Sequence, residues 1–248
     1  MNWRVILLVI MGLALAGQNG SADIGGGDKM KRARERMVKE IERDVVDTAA
    51  HIGRTQLNEE VMRVMAKVPR HEFVPEEEQD VAYLNRPLPI GFGQTISQPY
   101  IVALMTDLLA VSRDAKVLEI GAGSGYQAAV LSLLVKEVHS IEIIPQLARQ
   151  CRERMARLGY DNVTIHEGDG YYGLPDQGPF DAIVVTAAAS YIPPPLVQQL
   201  KPGGRMVIPV GTPFAVQHLM LVEKNDKGEV SMRQVLPVQF VPLTGARG

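Results

Sequence analysis

The sequence predicts a three-layer α/β domain: a doubly wound, mostly parallel seven-stranded sheet with helices on both faces, an N-terminal helical extension and an antiparallel C-terminal hairpin. Three observations lead there. From residue 116 to residue 210, short apolar runs alternate with helical periodicities, the pattern of repeated βαβ units. A glycine-rich turn, Gly121-Ala-Gly123-Ser-Gly125, directly follows the first apolar run, as at a strand-to-helix crossing. Beyond residue 217, two further runs flank Asn225-Asp-Lys-Gly228 and read as a hairpin at the sheet edge.

The elements follow in order. Residues 1–30 differ from the rest: Arg4 precedes twelve uninterrupted apolar residues and glycines (5–16), then a small polar stretch and Gly25-Gly-Gly27. Twelve residues are too few to span a bilayer, which takes about 20. The run fits the hydrophobic region of a secretory signal, with Ala14-Leu-Ala16 or Gly20-Ser-Ala22 as cleavage sites; the alternative is a misassigned start, with the protein beginning near Met30 or Met37. The segment is excluded from the fold, leaving 31–248 as one domain: a helical and loop extension at 31–110 and an α/β core at 111–248. Residues 31–48 read as a helix with Met37, Val38, Ile41 and Val45 at helical spacing and a solvated charged face. Asn58 reads as the N-cap of a second helix, with Val61, Met65 and Val68 as its stripe and Pro69 as its stop. Residues 70–98, rich in Pro and Gly, read as an ordered irregular segment, and such segments are usually functional. A helix at 101–109 precedes the core. There, strands are expected at Lys116–Ile120, 137–141, Val163–Glu167, 181–186 and 205–210. Helices are expected at 126–135, Pro145–Leu158 and 195–200, with a turn at Lys201-Pro-Gly-Gly204. The hairpin strands are 217–223 and 229–236. No internal repeat is visible.

Composition limits the function. The 248 residues carry 26 Lys+Arg against 28 Asp+Glu, a net charge of −2, without the basic excess of a nucleic-acid binder. Aromatics at 5% argue against base-stacking platforms. A single cysteine, Cys151, excludes an intrachain disulfide or a thiolate metal cluster. It lies within a predicted helix and reads as a buried, small apolar residue. The five histidines (His51, His71, His139, His166, His218) show no metal-ligand spacing, so no metal is expected.

The glycine turn carries the chemistry. A dinucleotide fingerprint, G-x-G-x-x-G, would place its third glycine at 126, where Tyr126 stands. The chain has instead acidic-x-G-x-G-x-G: Glu119, Gly121, Gly123 and Gly125, with Ser124 between the last two. This is the loop associated with S-adenosylmethionine methyltransferases. A carboxylate just before the loop would repel a pyrophosphate but suits a cationic cofactor with an amino-acid tail. Glu142 ends the second strand about 20 residues on, where a carboxylate accepts ribose hydroxyls. Asp169, before Gly170, follows the third strand and could accept from an adenine amino group. Alone, each acid is more often a surface or turn residue. Three acids at the ends of three successive strands point to one ligand edge.

Further segments carry a resemblance to a family. They are Val68-Pro-Arg-His-Glu-Phe-Val-Pro75, Pro87-Leu-Pro-Ile-Gly-Phe-Gly-Gln-Thr-Ile-Ser-Gln-Pro99, and the glycine loop with its strand (117–127). Gly168-Asp-Gly170, residues 180–188, residues 203–211 and Val241-Pro-Leu-Thr244 complete the set. Together they resemble the protein-L-isoaspartate O-methyltransferase family, from about residue 61 to the C-terminus. Gly-Gln-Thr-Ile-Ser-Gln-Pro is its specific signature. Asn85 departs from the family, which often has an acid there. The resemblance implies the class I S-adenosylmethionine methyltransferase fold. It also implies methyl esterification of the α-carboxylate of L-isoaspartyl residues in damaged proteins and peptides, with repair proceeding through a succinimide. Ser97 would be the active-site serine, Thr95, Ile96 and Gln98 would shape the pocket around substrate and methyl group, and Thr244 would lie at the cofactor or substrate site.

The residues themselves suit a modest role for Ser97. A carboxylate is ionised at pH 7, so methyl transfer needs alignment more than a base. No Ser/His/Asp order or nucleophile elbow surrounds Ser97; on its own it reads as a turn serine. Arg149, Arg152, Arg154 and Arg157 read as a solvated helix face, and Pro193-Pro-Pro195 as a loop shaper. A methyltransferase of this fold with another substrate, or a catalytically silent cofactor-binding module, are the competing readings. The need for an intracellular methyl donor favours the cytoplasm; the leader pattern favours export. No nucleic-acid partner and no stable membrane association are expected.

Overall fold

The computed structural model describes residues 24–212 and 215–245, with side chains from residue 29 onward. Most of the leader therefore lies outside the described residues. The first helix, α1 (Ile24–Asp47), starts seven residues before the expected boundary and includes Gly25-Gly-Gly27. Its stripe is the expected one: Met37, Ile41 and Val45 are buried at i, i+4, i+8, each burial stabilising by roughly 1.5–3 kcal/mol. A single turn, α2 (Ala49–Ile52), and α3 (Glu59–Met65) follow. Asn58 caps α3 as expected, its side chain accepting from the Glu60 amide at 2.8 Å.

The segment expected to be irregular holds more order than its composition suggests. Two 3-10 turns, Arg70–Phe73 and Glu76–Val81, lead into a small antiparallel hairpin of β1 (Leu88–Gly91) and β2 (Gln94–Ile96). The two-residue turn, Phe92-Gly93, has φ of +54° and +71°, the doubly left-handed turn that matches strand twist. Pro89 in the strand and Phe92 in the turn conceal it from sequence reading. Helix α4 (Pro99–Leu109) starts with proline at its first position and is buried throughout.

The core is the expected alternation: β3 (Lys116–Ile120), α5 (Tyr126–Ser132), β4 (Glu137–Glu142), α6 (Pro145–Leu158), β5 (Val163–Glu167), β6 (Phe180–Val185), α7 (Pro194–Gln199), β7 (Leu200–Val210), β8 (Gln217–Lys224) and β9 (Val230–Val238). Helix α5 stops three residues short of its expected end. The sheet order is β5-β4-β3-β6-β7-β8-β9, parallel through β7 and antiparallel across β8 and β9. Residues 201–204, expected as a turn, lie inside β7. They form a bulge: Phe180 pairs with Leu200 and Ala182 with Arg205, so the extra β7 residues loop out.

Strand alternation decides what each face buries. On β3, Val117 belongs to the core shared with α1, α3, α4, α5 and α6, while Leu118 and Ile120 belong to the core beneath α7. The second face is thinly covered, because β5 reaches β6 through two 3-10 turns, Gly170–Tyr172 and Pro175–Gln177, in place of a helix. Strand order reverses at β3, with β4 on one side and β6 on the other. That reversal opens a crevice at the carboxyl ends of the strands, the usual ligand edge of an open α/β sheet.

Candidate active site

The crevice holds a pocket built first by the glycine loop. Gly121 and Gly125 have φ of +93° and +90°, a region that L side chains rarely adopt. Close approach adds to the demand for glycine: a Cβ at Gly121 would stand 2.7 Å from Thr186 Oγ1, and one at Gly125 2.6 Å from Met155 Cε and 2.7 Å from Cys151 Sγ. The loop is thus clamped between the end of β6 and helix α6. The amides of Gly121 and Ala122 both donate to the Ile141 carbonyl, at 2.8 and 3.0 Å.

Glu142 completes the loop. Its carboxylate accepts from the Gly123 amide at 2.7 Å and from the Ile144 amide at 2.9 Å. The residue expected to receive ribose hydroxyls therefore also fixes the loop, and each oxygen keeps a second lone pair for a ligand. Arg154 donates to the Ser124 carbonyl at 2.9 Å, so this arginine belongs to the loop's support; the solvated-face reading fails for it. Cys151 is buried as expected, and burial pushes its thiol up to about 12.

Glu119 lines the same pocket and is buried like Glu142, but its carboxyl group meets different partners. It is wholly buried, and burial pushes its pKa up to about 8, with the charge of Glu142 adding to the rise. The Ser140 hydroxyl, from the residue paired with Glu119 across β3 and β4, donates to Oε2 and opposes the shift. Oε1 has no partner. Near neutral pH Glu119 is therefore mostly the neutral acid, where its place in the sequence suggested a carboxylate.

Of the residues expected at the site, Thr95, Ile96, Ser97, Glu119, Gly121, Gly123, Ser124, Glu142, Gly170 and Thr244 line this one pocket. Gly125 stands behind the wall, as the N-cap of α5. Asp169 does not line it; its side chain caps the turn Gly170–Tyr172, accepting from the Tyr171 amide at 2.9 Å. Gln98 lines a second cleft of about 790 Å³ instead, and its amide reaches Asp44 at 3.5 Å.

That second cleft lies between the C-terminal end of α1, the β1–β2 hairpin and the segment from Leu236 to Val241. Asp44 is its organiser, accepting from Asn85 Nδ2 at 2.7 Å, while Asn85 Oδ1 accepts from the Tyr100 amide at 3.0 Å. The two clefts share one wall: Thr95, Ser97, Thr186 and Val241. The C-terminal segment reaches that wall by zipping onto the end of β6, with Ala188 N donating to Val241 O at 2.8 Å and Leu243 N to Ala188 O at 2.7 Å.

Several residues of the site were not legible. The one proton of the Thr186 hydroxyl is shared between the carbonyls of Ile120 and Gly121, 2.9 and 2.7 Å away; Thr186 sits just past β6, so the strand-end argument that selected Glu142 and Asp169 also reaches it. Gln127 and Asp44 gave no such signal. His139 and His166 pair at 2.9 Å beside Phe180 and line neither cleft. Among the described residues no three His, Cys, Asp or Glu side chains converge to hold a metal ion.

The pocket suits a cationic nucleoside cofactor with an amino-acid tail. Among the described residues no Lys or Arg lines it, whereas acceptors do: the Glu142 carboxylate and the unpartnered Oε1 of Gln127. Buried acceptors without donors are costly and call for a ligand that donates.

Comparison with known proteins agrees. Residues 42–248 match the family model described as protein-L-isoaspartate(D-aspartate) O-methyltransferase. Protein-L-isoaspartate O-methyltransferase 2 of Syntrophobacter fumaroxidans is 59% identical over 240 residues, 97% of this chain and 96% of that one. The protein of the same name from Polaromonas sp. is 63% identical over 211 residues, 85% of this chain and 100% of that one. Among solved structures, a protein-L-isoaspartate O-methyltransferase superposes with a TM-score of 0.75 at 28% identity, covering 87% of this chain and 67% of that one. A Plasmodium falciparum structure described as the same kind of enzyme, in complex with S-adenosyl-L-homocysteine, gives 0.69 at 26% identity, covering 87% and 98%.

Proposed function

The chain belongs to the protein-L-isoaspartate(D-aspartate) O-methyltransferase family, and from that premise we propose how its residues divide the work. The reaction is S-adenosylmethionine-dependent methyl esterification of L-isoaspartyl residues in damaged proteins and peptides, which starts their repair through a succinimide. When bound, S-adenosylmethionine supplies a methyl group activated on a sulfonium cation.

One observation carries the assignment of roles: the cofactor pocket and the second cleft meet at Thr95, Ser97, Thr186 and Val241. Transfer occurs across that wall. Glu142 would hold the ribose, and the glycine loop the amino-acid tail. Gly170 closes the nucleoside end, while Asp169 holds the turn that presents it. On the other side the isoaspartyl residue enters between α1, the β1–β2 hairpin and the C-terminal segment. The Ser97 hydroxyl donates to its α-carboxylate and aims one oxygen at the transfer point. Ile96, buried at the end of β2, anchors Thr95 and Ser97 on either side of it. Gln98, held by Asp44, and Thr244 frame the substrate and cofactor edges. No general base is needed, because the attacking carboxylate is already ionised; the protein contributes in-line alignment and exclusion of water.

The test is methyl incorporation into an isoaspartyl peptide beside its normal aspartyl twin. Label on the first alone is expected, and equal or absent label on both would overturn the reading. Among the described residues no helix is long and apolar enough to cross a membrane. We place the enzyme in the cytoplasm, where its methyl donor is made. N-terminal sequencing of the purified protein checks this, a start at Gly17 or Asp23 meaning export.

A further inference from the structure

Gln127, the second residue of α5, is a buried amide with half of its hydrogen bonding unexplained. It is 6% exposed and lines the cofactor pocket. Its Nε2 lies 2.9 Å from Thr106 Oγ1, on the neighbouring helix α4. Thr106 Oγ1 donates to the Val102 carbonyl at 2.8 Å and accepts from the Gln127 NH2. The amide so turned leaves its Oε1 free. Oε1 is buried and has no partner. A buried acceptor left without a donor costs free energy, and this one sits in a binding pocket, at a position locked by two helices.

The donor it awaits follows from the cofactor's own inventory. S-adenosylmethionine carries three kinds of N–H or O–H donor: the adenine amino group, the ribose hydroxyls and the α-ammonium of its amino-acid tail. In the proposed arrangement the ribose hydroxyls go to Glu142 and the adenine lies toward Gly170, at the ends of β4 and β5. Gln127 lies on α5, the helix that follows the glycine loop, with its amide against α4. We propose that Gln127 Oε1 accepts a hydrogen bond from the α-ammonium of the cofactor, making Gln127 a specificity residue for the amino-acid tail, with Thr106 as the positioning residue that keeps the amide turned the right way. This rests on the cofactor assignment and goes beyond it, since neither the glycine loop nor the strand-end acids involve residue 127. An amide fits this position well, because it accepts from a cation without adding a third carboxyl group beside Glu119 and Glu142.

Calorimetric titration with two ligands tests the proposal: S-adenosylhomocysteine, and its analogue with the α-amino group replaced by hydrogen. The natural protein is expected to prefer the amino ligand by roughly ten- to hundred-fold, the worth of one hydrogen bond to a charged group. Gln127→Leu should lose most of that preference while binding the deaminated analogue as well as the natural protein does. Thr106→Val, which leaves Gln127 in place but frees the amide to turn, should lose part of it. Equal weakening of both ligands by Gln127→Leu would overturn the proposal and assign the residue to packing. No preference in the natural protein would overturn it without any variant. Failure of the natural protein to bind S-adenosylhomocysteine at all would instead count against the cofactor assignment.

Discussion

The cofactor pocket and the second cleft share a wall, yet they are assembled differently. Much of the cofactor pocket is contiguous in sequence: Glu119 to Gly123 form one unbroken stretch, and Glu142 ends the next strand in register with it. Two of its polar side chains are bonded to backbone: Glu142 to Gly123 and Ile144, Thr186 to Ile120 and Gly121. The second cleft is gathered from α1, the hairpin and residues 236–241. Its key bonds join side chains far apart in the chain, Asp44 with Asn85 and Gln98. A local loop on a rigid sheet suits a cofactor of constant shape. A cleft gathered from three separate segments would suit the proposed substrate, an isoaspartyl residue in many different proteins.

If that contrast is right, the harshest single change lies in the cofactor loop. Gly125→Ala forces an L side chain to φ +90° and drives its Cβ to within 2.7 Å of Met155 and Cys151. Strain and overpacking together cost about 2–4 kcal/mol, and the loop must move to relieve them. Thermal melting should show the lost stability, and calorimetry should show S-adenosylhomocysteine binding weakened at least about a hundred-fold. Unchanged binding would mean the loop is adaptable and the contrast false.

Next in size is a pH effect confined to the same region. Glu119 has its pKa raised from 4.5 to about 8 by burial. The folded state therefore binds this proton more tightly than the unfolded chain. Its contribution is fully present below about pH 4.5, declines by ~1.4 kcal/mol for each pH unit above that, and is gone above about pH 8. Glu119→Gln removes the titration, so the variant should gain stability relative to the natural protein between pH 5 and pH 9, by a few kcal/mol at most. Parallel pH–stability curves for the two proteins would show that Glu119 is not held neutral.

These two regions also differ in how far the sequence disclosed them. The glycine loop, the strand-end acids and the alternation of strands and helices are local or periodic signals, and residue types at fixed spacing reveal them. The neutral state of Glu119 is not local: it depends on the packing that buries it and on the nearby Glu142, and persists against the Ser140 hydroxyl that the β3–β4 register brings beside it. The hairpin escaped because Pro89 and Phe92 are unusual choices for a strand and a left-handed turn. In the second cleft, only the resemblance around Ser97 gave any signal. Nothing in residues 31–48 marked Asp44 apart from its charged neighbours, because its partners lie 41 and 54 positions away.

On the shared wall, Ser97→Ala separates binding from transfer. Loss of one hydrogen bond to a carboxylate costs about 1.5–3 kcal/mol, so kcat should fall roughly ten- to hundred-fold with cofactor affinity unchanged. A matching loss of cofactor affinity would move Ser97 to the cofactor side of the wall.

The smallest expected effect belongs to the second cleft, at Asn85. The amide of Asn85 donates to Asp44 at 2.7 Å while its oxygen accepts from Tyr100 N at 3.0 Å. Asn85→Asp keeps the acceptor for Tyr100 but sets two carboxylates against each other. They can coexist only by sharing a proton, which raises the apparent pKa of the pair. The variant should lose about 1 kcal/mol of stability at pH 8 and recover it near pH 5, with a few-fold rise in the KM for peptide at the higher pH only. Adding Asp44→Asn restores the donor–acceptor match from the other side and should cancel both effects. Cancellation would tie the shape of the cleft to this one pair; a pH-independent loss that Asp44→Asn does not repair would show that Asn85 acts through Tyr100 alone, and that the substrate side is as locally built as the cofactor side.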